Sequence, residues 1–470
     1  MNTKPYPWGA TALALCALGA SSLSSATEVR FASFNASLNR GELGQLLDDL
    51  SNPGGAGFGD TTARRIQQAH NVAEIIQRTR PDVLLVNEFD FDDAGVPGSS
   101  STMKPLGYSS EAARLFQNNF LSAGHGGGAT GRTEVAPLDY AYRYTPTTNT
   151  GIPSGFDLDN SGSVGGGNDA FGFGNYAGQY GMTIYSKYEI TGVRTFQNFL
   201  WKDMPNNLLT NDPSVGASNL ANYYSPDEIA ALRLSSKTHV DLTLNIEGQE
   251  VHFLTAHPTP PVFDGAEDRN GKRNSDEIRF WADYIAGADY IYDDAGQTGG
   301  LSEGSLFVIA GDYNADPNDG DSDPNAIRQL LESGLINNAL VPTSAGGVEA
   351  ATSPTNNGNA NDSHGTPPEQ DTADFNDAGP GNLRVDYVLP AVDLELVDAG
   401  VFWPTSDDSN FELVGTFRNP DLYNNYASSD HKLVWADVAI TPAPVPIPGA
   451  LPLLGSALVA LGWCKRGAKR

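Results

Sequence analysis

Four places in this chain carry, at the tip of a short apolar run, residues able to do oxygen and proton chemistry: Asn35, Glu88, Asp312 with Asn314, and Asp430 with His431. Two more follow the same pattern, His257 in Thr-Ala-His-Pro-Thr-Pro-Pro and Asp386 in Arg-Val-Asp-Tyr-Val-Leu. Carboxylate and amide oxygens without thiols suit a hard divalent cation, and a histidine beside a carboxylate has its tautomer fixed and its charged form favoured. Hydrolysis of a phosphoester needs an activated water, neutralised phosphate oxygens and a proton for the departing alkoxide, all of which a cation with two histidines supplies. The stretch Val308–Asp316, Val-Ile-Ala-Gly-Asp-Tyr-Asn-Ala-Asp, carries the densest part of this chemistry. Strand periodicity would place Asp312 and Asn314 on one face after Gly311 breaks the run; taken alone, the stretch also fits a strand followed by an Asp/Asn-rich turn.

The elements that must hold these residues read as alternating strands and helices. Glu28 to Asn35 forms a first strand. Thr61 to Arg80 carries Ile66, Ala69, Val72, Ala73, Ile75 and Ile76 at helical spacing until Pro81 stops it, and Val83 to Val86 is a buried strand ending at Asn87-Glu88. Strands are expected over 181–190 and 193–199, on either side of Ser186-Lys187-Tyr188. A hairpin is expected over 237–256 around Glu247-Gly248, with further strands over 306–310, 384–389 and 433–440. Helices are expected over 275–286, with Phe280 and Trp281 packed on the sheet, and over 324–333, while 91–176 and 343–381 read as loops. Strands mixed with helices predict a single α/β sandwich over 28–441. Ligands of such folds collect at strand tips, which is where the chemistry lies.

The order Phe-Asn35, Asn-Glu88, Ser186-Lys187-Tyr188, His257, Gly-Asp312-Tyr-Asn314, Val-Asp386-Tyr and Ser429-Asp430-His431 resembles the endonuclease/exonuclease/phosphatase superfamily, whose best-known member is deoxyribonuclease I. The match runs through nearly the whole body. It implies a four-layer αββα sandwich with two mixed β-sheets face to face and helices outside. It also implies that Glu88 is the main Mg²⁺ or Mn²⁺ ligand, with Asn35 beside it and Asp430 contributing. His431, oriented by Asp386, would act at the phosphate as base or electrostatic stabiliser; Asp312 and Asn314 would position water and phosphate; His257 would be the acid for the leaving oxygen. In deoxyribonuclease-type members a glutamate pairs with the histidine in the His257 slot. The matching stretch Tyr144–Gly151 has no carboxylate, so either Asn149 substitutes or the partner lies elsewhere.

A second cation site is readable in Asp157, Asp159, Ser161 and Ser163, spaced as the first half of a calcium loop with glycine at the sixth place; the twelfth residue is Asn168 with Asp169 next, so structural Ca²⁺ and a plain Gly/Asp loop both fit. Trp201, Tyr223 and Tyr224 are candidates for stacking on a base or sugar, with core or rim packing as the default reading. The formal charge of -29 argues against a nonspecific grip on DNA through a basic surface, though a metal-charged cleft still attracts phosphate within an acidic envelope. The two cysteines, Cys16 and Cys464, leave the body without a disulfide or a thiolate metal site.

Residues 1–26 read as a secretory signal with cleavage after Ala26. Residues 445–470, with Val445-Pro-Ile-Pro, a short apolar run and terminal Lys/Arg, resemble a PEP-CTERM sorting signal; a plain membrane anchor is the alternative. That resemblance implies exosortase processing, transient membrane anchoring, and delivery to the cell surface or extracellular matrix of a Gram-negative bacterium. The expectation is a secreted, monomeric, divalent-metal-dependent phosphoesterase, foremost a phosphodiesterase or endonuclease acting on extracellular DNA. The alternatives are hydrolysis of small phosphoesters or phospholipid head groups, and a catalytically silent matrix-binding module.

Overall fold

In a computed structural model, residues 25–55, 60–93, 96–97, 104–352, 358–416 and 422–443 are described; the expected signal through Ser24 and the tail from Pro444 lie outside them. Two mixed sheets form the centre. The strands are β1 (Thr27–Asn35), β2 (Val83–Asn87), β3 (Tyr142–Tyr144), β4 (Met182–Ser186), β5 (Glu189–Thr195), β6 (Val240–Ile246), β7 (Gln249–Ala256), β8 (Phe307–Asp312), β9 (Asp386–Pro390), β10 (Glu395–Val401) and β11 (Val434–Ile440). One sheet runs β10-β11-β1-β2-β4-β3 and the other β9-β8-β7-β6-β5. Each has one parallel pair, β1/β2 and β7/β8, flanked by antiparallel neighbours. The two-residue link Lys187-Tyr188 passes the chain from one sheet to the other.

The strands beside the site are apolar and buried on both faces, as expected of strands covered on both sides. β1 lies across β8 and β9, and Phe31 meets Phe253 between the sheets with ring centroids 5.7 Å apart. Outside, helix α1 (Asp60–Thr79) buries Ile66, Ala69, Val72, Ala73, Ile75 and Ile76. Helix α2 (Arg269–Ile285) presents Phe280, Trp281 and Tyr284 to Phe196. This is the four-layer αββα sandwich expected from the sequence.

Several local expectations change. Gly311 does not break its strand: it pairs with Ala256 and Tyr387 inside β8, and a Cβ there would stand 2.1 Å from the Ala256 carbonyl oxygen. Close approach of the β7 backbone requires the glycine. Asn314 is past the strand end with φ 51, so periodicity does not relate it to Asp312. Only Arg328–Leu331 of the expected 324–333 helix is helical, and α2 begins at Arg269, six residues before Ser275. The supposed loop over 91–176 contains β3, and the edge strand β10 is too exposed and polar to show a buried-strand pattern. Glu247-Gly248 does form the β6–β7 hairpin, both at positive φ (53 and 80), as a two-residue primed turn requires.

Candidate active site

Register explains why the chemistry converges. In the first sheet Asn35 pairs with Asn87, one residue before Glu88; in the second, Gly311 pairs with Ala256, one residue before His257, and Asp312 with Asp386. The parallel pairs therefore end on one edge of the sandwich, and β9 and β11 start there, with His431 just before β11. Glu88 turns out of β2 at φ 52, a conformation non-glycine residues seldom adopt and one that aims its carboxylate across the edge.

Asp312 is the hub. Its Oδ2 accepts from Asn35 Nδ2 at 2.9 Å and faces His257 Nε2 at 3.3 Å and His431 Nε2 at 3.7 Å, while its Oδ1 accepts from the Asn314 amide at 2.9 Å. His431 Nδ1 lies 2.9 Å from Asp386 Oδ2, which also accepts from Thr372 Oγ1 at 2.9 Å, so the imidazole is held by a carboxylate that is itself held. Asn314 Nδ2 donates to the Pro258 carbonyl at 3.2 Å, tying the loop after β8 to that after β7. Glu88 Oε2 accepts from Asn39 Nδ2 at 2.7 Å. Asp430 Oδ1 takes long bonds, 3.4 Å each, from Ser37 and Ser429, whose hydroxyls are 2.9 Å apart.

The charges are poised against one another. Burial, and then the Asp430 carboxylate, raise Glu88 to about 6; Asp312 adds to this and His431 opposes it. Asp312 likewise rises to about 6, burial outweighing the pull of His431. Burial works against charge on His431, but Asp386 and Asp312 overcome it and hold the imidazolium well above its ordinary range. Burial and the charges of Lys237 and His431 press His257 well below it. One histidine is thus kept charged and the other neutral.

All eight sequence-predicted residues meet at this edge. Asn149 does not serve His257: its Nδ2 donates to the Gln197 and Ser235 carbonyls at 2.7 Å and its Oδ1 accepts from Arg233 at 2.6 Å, while His257 Nδ1 is buried with no hydrogen bond among the described residues. Sequence reasoning missed Asn39, Thr372, Ser37 and Lys237, single polar residues in loops with no spacing signal. In the 157–169 loop, oxygens of Asp157, Asp159 and Asp169 come within 4.8 Å of one another. The Ser161 hydroxyl lies 3.3 Å from Asp157 Oδ1 and 3.2 Å from the Ser163 carbonyl, and Asp169, outside the expected set, joins the two aspartates. Beside Glu88 and His257 opens a cavity of about 580 Å³ walled by Phe173, Tyr180, Tyr224 and Phe263, with Lys237 at its catalytic end. Trp201 forms its floor as a core residue, Nε1 donating to Asp276 at 2.7 Å, and Tyr223 stacks edge-on against Tyr224.

The donor set fits a hard divalent cation. Glu88, Asp430 and Asn35 offer oxygen and no sulfur; burial raises Glu88 first and repulsion from Asp430 adds to it, and a bound cation offsets both. Among the described residues, no helix is long and apolar enough to cross a membrane.

No curated protein is significantly similar in sequence. Solved structures that resemble the chain include an endonuclease/exonuclease/phosphatase from Beutenbergia cavernae (16% identity, 89% of this chain and 73% of that one, TM-score 0.42). A family protein from Leptotrichia buccalis (14%, 87% and 99%, 0.39) and a beta toxin from Staphylococcus aureus with bound magnesium ions (13%, 87% and 99%, 0.39) are also similar. The profile of the Endonuclease/Exonuclease/phosphatase family matches residues 32–431. The chain belongs to this family, and is a metal-dependent phosphoric ester hydrolase.

Proposed function

We propose that the chain is a secreted phosphodiesterase that hydrolyses extracellular nucleic acid with Mg²⁺ or Mn²⁺ held by Glu88, Asn35 and Asp430. The observation that carries the site is the single oxygen, Asp312 Oδ2, shared by Asn35, His257 and His431. When bound, the cation lowers the pKa of a coordinated water and neutralises phosphate oxygens. Asp312, fixed by Asn35, orients the attacking water; Asn314 helps to place a phosphate oxygen. His431, kept charged by Asp386, binds the charge that accumulates on the phosphate in the transition state. His257 is neutral when the site is empty. A phosphate bound beside it adds negative charge and raises its basicity, so that it takes up a proton from solvent and passes that proton to the leaving oxygen, while the Asp312 carboxylate, raised to about 6, takes the proton of the attacking water.

Hydrolysis of a smaller phosphoester or a phospholipid head group is the second reading, favoured by the enclosed aromatic cavity and by the net charge of -29. Secretion through residues 1–26, exosortase handling and transient anchoring of the 445–470 tail, surface or matrix location and a monomeric state belong to the same proposal. So does a structural Ca²⁺ in the 157–169 loop, supported by its three convergent carboxylates.

The test is turnover of plasmid DNA, bis-p-nitrophenyl phosphate and p-nitrophenyl phosphate with Mg²⁺ or Mn²⁺, then with EDTA. DNA nicking selects the nuclease, ester cleavage without nicking the small-substrate hydrolase. Full activity in both Glu88→Ala and His431→Ala would refute the site; the expected loss in each is at least ~10²-fold.

A further inference from the structure

We propose that Lys237 is a further catalytic residue, whose ammonium holds a nonbridging oxygen of the scissile phosphate where the carboxylate edge meets the cavity. This rests on the phosphoesterase site described above. Lys237 is 6% exposed, yet among the described residues its Nζ has neither a hydrogen bond nor an ion-pair partner. Buried ammonium groups are costly and are normally paired. Lys432, also buried near the site, shows the ordinary solution: it donates to the Ser429 and Asp430 carbonyls at 3.2 and 3.1 Å and lies over the Trp403 ring. Among the described residues nothing comparable satisfies Lys237. Glu277, the carboxylate that acts most strongly on it, accepts instead from the backbone amides of Ser236 and Thr259, each at 2.6 Å.

The segment carrying Lys237 is rigid. The Asn149 amide donates to the Lys237 carbonyl at 3.0 Å, Asn149 Nδ2 to the Ser235 carbonyl, and Ser235 Oγ lies 2.6 Å from His239 Nδ1. Asn149, which the sequence offered as a partner for His257, therefore fixes the lysine segment. The side chain shares the cavity wall with Glu88 and His257, and its charge acts on Glu88, Asp312 and His257. A fixed cation that opens onto the cavity beside a phosphate site is placed to take up the negative charge that grows on the nonbridging oxygens as water adds and the leaving oxygen departs. The phosphate's organic substituent then extends into the aromatic cavity.

The experiment uses the full chain with bis-p-nitrophenyl phosphate as substrate, inorganic phosphate as competing anion, and Lys237→Met, Lys237→Arg and His431→Ala in parallel. Lys237→Met is expected to lose at least ~10²-fold in kcat/KM and at least ~10-fold in inhibition by inorganic phosphate, the scale of removing one oxyanion ligand. Its melting temperature should not fall, since an unpaired buried charge has been removed. Lys237→Arg should recover part of both kinetic losses. Unchanged turnover and phosphate inhibition in Lys237→Met, with His431→Ala inactive, would overturn this inference and leave the site standing; an active His431→Ala would overturn both. A Lys237→Met chain that melts lower or fails to fold, with Lys237→Arg folded and unaltered in phosphate inhibition, would make Lys237 a counter-ion of Glu277 and also overturn it.

Discussion

Glu88→Gln should stabilise the cation-free protein while abolishing its response to metal. In the folded chain, burial and the neighbouring Asp430 raise the Glu88 carboxyl from an ordinary 4.5 to about 6. A folded-state pKa above the unfolded value means that the native state holds the proton to higher pH. The associated stability is fully present below 4.5 and is lost as pH rises through 6. Each tenfold in proton affinity is about 1.4 kcal/mol, so the shift corresponds to roughly 2 kcal/mol, reduced to about 1–2 kcal/mol by solvent screening of this partly exposed group. Glutamine keeps the carbonyl that accepts from Asn39 and never ionises. In EDTA, urea unfolding of the two proteins should agree near pH 4. By pH 8 the variant should be more stable by about 1–2 kcal/mol. With cation at about a hundred times its Kd, only the wild type gains the linkage stabilisation of about 2.7 kcal/mol, and the order reverses. A stability difference independent of pH, or a variant still stabilised by Mg²⁺ or Mn²⁺, would refute the assignment of Glu88 to the metal.

Cation affinity itself should fall as pH drops below about 6, because protons compete for Glu88; calorimetric titration at pH 5 and 8 measures this, and equal affinities would contradict it. Gly311→Ala forces a Cβ against the Ala256 carbonyl and should cost several kcal/mol or prevent folding, read by denaturant unfolding. Asn149→Ala breaks bonds to Gln197, Ser235 and Arg233 and is expected to cost about 2–3 kcal/mol in urea unfolding; an unchanged stability would contradict its structural task. Ca²⁺ should raise the melting temperature of the wild type and not that of Asp157→Asn or Asp169→Asn, since each removes one of three convergent carboxylates.

What the sequence by itself determined is the set of reacting groups and the layers that carry them. Asn35, Glu88, Asp312, Asp386 and His431 each follow or precede an apolar run long enough to be a buried strand, and strand ends are where an α/β fold gathers its polar side chains. Helix α1 was equally legible, its apolar residues falling at helical spacing up to Pro81. The tertiary structure decided which atoms meet. The parallel register of β1 with β2 set Glu88 beside Asn35, that of β7 with β8 set His257 level with Asp312, and cross-sheet stacking brought Asn35 onto the Asp312 oxygen, distances on which no local pattern bears. Asn149 and Lys237 show the same limit from the other side. Both are single polar residues in loops, and only long-range hydrogen bonds give the first a structural task and leave the second without a partner beside the cavity.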